Sequence, residues 1–151
     1  MNLIAHIDGG ARGNPGPAAI GVVVTDDAGN MLFEDGQCIG KATNNEAEYR
    51  ALIHLLEKCA TDPVLLNSGA KSMSVHCDSK LIVEQVSGKW KIKEPRLQEL
   101  YNQVQVAKAS VPFELRIKHV PREDNKHADQ LVNQALDKAT VTPPAGGYAA
   151  F

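Results

Sequence analysis

Two apolar segments of this chain end alike, "LIAHID" at residues 3–8 and "SVHCD" at 74–78, each running into a single carboxylate. An acid at the end of a buried strand can form a turn, sit beside a phosphate loop or bind a metal. The loop after Asp8, "GGARGNPG", lacks the Lys-Ser/Thr ending of a P-loop, and its glycines do not fit GxGxxG. The residues beyond it read as a strand, so no helix N-terminus follows to hold a phosphate. If the two segments are parallel neighbours, Asp8 and Asp78 stand side by side at the carboxyl ends of their strands, where open α/β sheets place their sites.

Two helical segments add carboxylates. In "TNNEAEYRALIHLLEKC", residues Ala47, Ala51, Leu52, Leu55, Leu56 and Cys59 form one apolar stripe at helical spacing, and Glu48 falls inside it. Glu46 lies about 200° away on the wheel, four residues before Arg50, and reads as a solvated charge. Glu48 is therefore aimed inward, where an unpaired carboxylate is expensive and calls for a cation. In the last helix Ala128, Leu131, Val132, Ala135 and Leu136 mark the buried stripe, with Asp129 at its edge and Asp124 expected as the cap. Four carboxylates about 5 Å apart repel by roughly 3 kcal/mol per pair at an effective dielectric of 20. Such a cluster needs divalent cations, and oxygen-only ligands favour Mg²⁺ or Mn²⁺ over Zn²⁺. Two such ions can activate a water and stabilise the leaving oxygen of a phosphodiester. His6 and His76 point to the same faces as their Asp neighbours but about 6.6 Å back along the strand, and read as packed strand histidines.

The elements that must position these acids are legible in outline. Strands are predicted over residues 2–8, 18–26 and 31–40, the last two joined by the turn residues of "DDAGN". A helix runs from Asn45 to Cys59, "TDPVLLNSGA" reads as loop, "KSMSVHC" as a strand and "SKLIVEQVSG" as a short helix. "PRLQELYNQVQVAKA" is helical, "FELRIKHV" alternates as a half-exposed strand, and "EDNKHADQLVNQALDKA" is the last helix. The order βββαβααβα predicts an α/β fold, a mixed sheet with helices on its faces. One domain is expected over 1–139, followed by a Pro/Gly/Ala-rich tail at 140–151, expected to be extended and either docked through Tyr148 and Phe151 or free.

With 151 residues, 43% of them hydrophobic, the chain can build one real core. No apolar run reaches the length of a membrane span, and His6 and Asp8 interrupt the only candidate for a signal peptide. Cys38, Cys59 and Cys77 form an odd, widely spaced set without CxxC, which points to a reduced, cytoplasmic compartment. The net charge of −2 argues against a generic nucleic-acid coat, yet the charges are segregated. Residues 1–79 carry five Lys/Arg and ten Asp/Glu, whereas residues 80–126 carry ten and six.

The stretches "IDGGARGNPGPAAIG", "TNNEAEYRAL", "CDSKLIVEQVSGKWKIK" and "VPREDNKHADQLVNQA" resemble, in order and spacing, the successive motifs of type 1 ribonuclease H, over residues 2–139. The resemblance implies the ribonuclease H-like fold, with a five-stranded mixed sheet flanked by helices. It implies Mg²⁺-dependent endonucleolytic cleavage of the RNA strand of RNA/DNA hybrids, leaving 3′-hydroxyl and 5′-phosphate ends, by a chain expected to be monomeric. Asp8, Glu48, Asp78 and Asp129 match the family's four metal-binding acids. Asn14, Asn44 and Asn45 match residues that contact 2′-hydroxyls and the minor groove, and Thr43 with Asn14 matches a pocket for a DNA phosphate. Short amides suit the reading of 2′-hydroxyls, although "TNN" also suits a helix cap.

Two positions depart from the commoner pattern. Arg122 stands where many members carry a loop His, as in the bacterial and archaeal subgroup with Arg there; an always-charged Arg can act electrostatically but not as a proton shuttle at neutral pH. In "SGKWKIKEP" a longer basic protrusion is reduced to Lys89, Trp90, Lys91 and Lys93. With Lys80 these form a small stacking-and-cation patch for a nucleic-acid backbone, unless Trp90 packs between helices. The first strand begins at Asn2, so no separate N-terminal hybrid-binding module is expected. The rival readings are a nuclease of the same fold that cuts double-stranded RNA or junctions, a hybrid-binding module without turnover, and acids that serve only as caps and turns. The second gives no reason for Glu48 to face inward.

Overall fold

The structure, a computed structural model, describes the backbone of residues 1–148 and the side chains of residues 1–139. Strands β1 (Asn2–Ala11), β2 (Gly16–Thr25) and β3 (Met31–Ala42) form an antiparallel meander. In the turn between β2 and β3, the Asp26 carboxylate accepts from the Ala28 and Asn30 N–H groups, and Gly29 takes a positive φ. Helix α1 (Asn44–Thr61) then crosses the sheet to β4 (Ser72–Cys77), which pairs in parallel with β1. Helices α3 (Lys80–Val86) and α4 (Pro95–Lys108), following the short α2 (Pro63–Leu66), lead to β5 (Glu114–His119), parallel to β4. The sheet order is β3-β2-β1-β4-β5, the five-stranded mixed sheet expected.

Alternation along the strands divides the molecule into two layers. Leu3, Ala5 and Ile7 of β1, Val22 and Val24 of β2, and Met73, Val75 and Cys77 of β4 face α1 and α4. Every member of the predicted α1 stripe is buried, all but Ala47 in this layer with Leu97, Leu100 and Val104 of α4, while Ala47 packs with Ala18 and Ala42. The opposite face receives the last helix, α5 (Lys126–Tyr148), whose Val132 and Leu136 pack on Ala19.

Three expectations change. The segment read as loop contains α2, started by Pro63 and capped by Asp62, which accepts from the Val64 and Leu65 N–H groups. Strands β1 and β3 run three and two residues beyond their expected ends at residues 8 and 40. The residues at 140–148, expected to be extended, continue α5. Docking of the tail through Tyr148 and Phe151 lies outside the described side chains.

Candidate active site

Strand register brings the first two acids together. Ile7 pairs with Cys77, so Asp8 and Asp78 are the next residues on two parallel neighbours. Strand β1 continues past Asp8 along β2, while the chain after Asp78 leaves for α3, which opens a crevice between them. Gly9 makes the third approach possible: a Cβ there would collide with the Ala47 backbone at the start of α1. The Gly9 N–H instead donates to Glu48 Oε1 at 2.6 Å. The turn that delivers Glu48 is fixed by a capping box, in which Thr43 Oγ1 accepts from the Glu46 N–H and Glu46 Oε1 from the Thr43 N–H.

Carboxylate oxygens of Asp8, Glu48 and Asp78 lie within 4.8 Å of one another. Asp8 is 8% exposed and Glu48 7%, while Asp78 is half-buried at the opening. Asp129, on the first turn of α5, stands beside Asp8 and interacts with its carboxyl, outside that tightest set of three. Two further glycines let α5 come this close, since a Cβ on Gly21 or Gly36 would meet the backbone of Ala128 or Leu131.

Burial, then the charge of Asp78, pushes the Asp8 carboxyl from its ordinary 3.8 to about 7. Burial, then the charges of Asp8 and Asp78, raises Glu48 well above the usual carboxylate range. Among the described residues no Lys or Arg forms an ion pair with any of the three. An oxygen-only set, closely spaced, buried and without an organic cation, fits a hard divalent metal.

Other predicted positions gather round this crevice or stand apart from it. Asn14 Oδ1 accepts from the Asn44 N–H at 3.0 Å, and Asn44 Oδ1 accepts from the Ala11 N–H at 2.9 Å, which ties the glycine loop to the start of α1. Thr43 and Asn45 flank that link, Thr43 as the cap. Trp90 is 43% exposed rather than packed between helices, with Lys80 Nζ 5.9 Å from its ring centroid and Lys91 exposed beside it. Arg122 is exposed in a 3-10 turn, Arg122–Asp124, after β5. His6 and His76 pack edge to face, 4.8 Å between ring centroids, and His127 pairs with Glu34 at 3.0 Å, away from the acids.

Two readings of neighbouring acids are corrected. Glu46 is not a free solvated charge: beside its part in the capping box, its Oε2 accepts from Arg96 Nε, and Arg50 donates to the Ile39 carbonyl instead of pairing with it. Asp124 does not hold the cap position of α5. It lies in the 3-10 turn, and Asn125 immediately precedes the helix, its carbonyl accepting from the Asp129 N–H. Sequence reasoning passed over Asn125, although Asn ranks with Asp as a cap. His119, the last residue of β5, brings its Nε2 within 3.3 Å of the Asp78 carbonyl, a contact between neighbouring strands that residue spacing alone does not reveal.

This architecture has close counterparts. Residues 6–135 match the sequence family described as reverse transcriptase-like. The bifunctional protein Rv2228c of Mycobacterium tuberculosis is 49% identical over 146 residues, 96% of this chain, and the chain spans 38% of that protein's length. The crystal structure of RNase H1 from Halobacterium salinarum superposes with a TM-score of 0.81 at 38% identity, covering 91% of this chain and 99% of that one. The structure of LC11-RNase H1 in complex with an RNA/DNA hybrid has a TM-score of 0.82 at 48% identity, with 91% and 99% covered. The chain belongs to the reverse transcriptase-like family and, within it, to the type 1 ribonucleases H. That family implies a divalent metal, in agreement with the donor set just described.

Proposed function

We propose that this chain hydrolyses the RNA strand of RNA/DNA hybrids, leaving 5′-phosphate and 3′-hydroxyl ends. The observation that carries this reading is the trio of Asp8, Glu48 and Asp78, crowded at the carboxyl ends of β1 and β4 and, among the described residues, paired with no Lys or Arg. The hybrid as substrate rests on the 48% identity to a ribonuclease H1 that has been crystallised with one.

Asp8, Glu48, Asp78 and Asp129 would hold two Mg²⁺ ions, for which Mn²⁺ can substitute. Bound there, the ions supply an activated water and charge stabilisation for the leaving 3′-oxygen. The chain's own residues do the rest. The Gly9 N–H holds one oxygen of Glu48 and leaves the other for the crevice. Asn14, Asn44 and Asn45 offer amides to the minor groove and its 2′-hydroxyls, and Thr43 with Asn14 offers a seat for a DNA phosphate. Lys80, Trp90 and Lys91 form a cation-and-stacking patch for the backbone, and Arg122 acts electrostatically on phosphate or product. Residues 1–139 form the catalytic unit, followed by a tail at 140–151. We place the chain as a monomer in the cytoplasm; separately, among the described residues no helix is long and apolar enough to cross a membrane.

The test is cleavage of end-labelled RNA, paired with DNA, paired with RNA or single-stranded, with Mg²⁺, Mn²⁺ or EDTA, beside Asp8→Asn. Metal-dependent cutting of the hybrid alone, lost in the variant, is the expected result. Hybrid binding without cutting under either metal would overturn the enzymatic reading, and equal cutting of duplex RNA would replace the substrate.

A further inference from the structure

Asn125 is 1% exposed and ties the N-terminal end of α5 to the carboxyl ends of β1 and β4. Its Nδ2 donates to the Ile7 carbonyl at 2.8 Å, directly before Asp8, and to Asp78 Oδ2 at 3.2 Å. Its own carbonyl accepts the N–H of Asp129 at 3.1 Å, and its N–H donates to the Arg122 carbonyl at 2.9 Å. One residue thus touches the backbone behind Asp8, the carboxylate of Asp78 and the first turn carrying Asp129.

The side-chain oxygen tells why Asn stands there. Asn125 Oδ1 is buried and has no hydrogen-bond partner among the described residues. Turning the amide over would not relieve it, because the oxygen would then face a carbonyl and a carboxylate, two acceptors. An orphan buried acceptor is unfavourable, and an apolar residue would avoid it. The position therefore keeps an unpartnered acceptor for the sake of a double donor. Donation to one oxygen of Asp78 orients that carboxylate, leaving the other oxygen for the crevice, as second-layer partners do at metal sites.

We infer that Asn125 is a positioning residue that sets the Asp78 carboxylate, and through it the divalent-metal affinity of the site; this rests on the functional reading above. Its test measures Mn²⁺ binding by electron paramagnetic resonance without substrate, alongside melting temperature and steady-state cleavage, for the wild type, Asn125→Ser and Asn125→Leu. Loss of the double donor should weaken Mn²⁺ binding by about 10- to 100-fold. It should lower kcat in parallel, while the KM for hybrid stays within about two-fold, since Asn125 is sealed from solvent. In the wild type, the Asn125 side-chain amide resonance should shift in step with Mg²⁺ addition, a readout that does not depend on any variant folding. Folded variants with unchanged Mn²⁺ affinity, or an amide resonance indifferent to Mg²⁺, would overturn the inference alone. A wild type without saturable Mn²⁺ binding would overturn the functional reading and this inference with it.

Discussion

At Asp8 the chain holds a carboxyl near pH 7 that in the unfolded chain would ionise near 3.8. The folded protein then binds that proton more tightly than the unfolded one, so the group favours folding at low pH and loses that contribution as pH rises from about 4 to 7. A displacement from 3.8 to about 7 is worth about 4 kcal/mol across that window. The melting temperature of the metal-free protein should therefore fall across it, followed by calorimetry in EDTA. Added Mg²⁺ should raise the melting temperature more at pH 8 than at pH 5, because it must displace the proton at the lower pH. Asp8→Asn removes the Asp8 share of the effect: without metal it should melt higher than the wild type at pH 8, reduce the pH dependence to what the buried Glu48 still contributes, and abolish cleavage. Destabilisation of the metal-free variant would make Asp8 a structural acid. At this scale the helical wheel separates Glu48 from Glu46, because burial on a helix follows from angle alone. It is silent about Asn125, whose role depends on three segments far apart in sequence that meet only in the fold.

Among the elements, close packing is what brings the acids into range, and glycines set it. Gly21 lies under α5 where a Cβ would strike the Ala128 backbone, one residue before Asp129. Gly21→Ala should push the helix off the sheet, costing about 1–3 kcal/mol in denaturant unfolding and lowering kcat well beyond what its stability loss explains. Gly29 provides the contrast: its positive φ makes Gly29→Ala strained by about 1–2 kcal/mol, with nothing nearby to displace, so cleavage should be unchanged. Thr43→Ala removes the cap of the helix that carries Glu48 and should cost about 1 kcal/mol. Apolar periodicity makes the strands and long helices legible, and the twin Asp endings make the β1–β4 neighbourhood legible once parallel pairing is assumed. The short α2 escapes such a reading because four residues carry no period. The course of 140–148 escapes it because Pro, Gly and Ala composition does not fix a backbone path.

For the molecule as a whole, charge segregation becomes spatial. Three of the ten acids of residues 1–79, Asp8, Glu48 and Asp78, are gathered at the crevice, while Lys80 and Lys91 stand with Trp90 on an exposed segment after β4. Hybrid binding should weaken steeply with salt, and Lys80→Ala or Lys91→Ala should each reduce the slope of log affinity against log salt by about one. Filter binding in EDTA at several salt concentrations measures this without turnover, and slopes unchanged in both variants would place the nucleic acid elsewhere.

The parallel pairing of β1 with β4 also governs when such a protein becomes active. Ile7 and Cys77, about seventy positions apart, must meet before Asp8 and Asp78 do, and contacts of that span form late and slowly. Asp129 reaches a ribosome's exit after every strand has emerged. A nascent chain therefore carries the first three acids for some time without a place to use them. Cleavage should appear in refolding only once all four acids have been brought together, so that hydrolytic power arrives together with the finished fold.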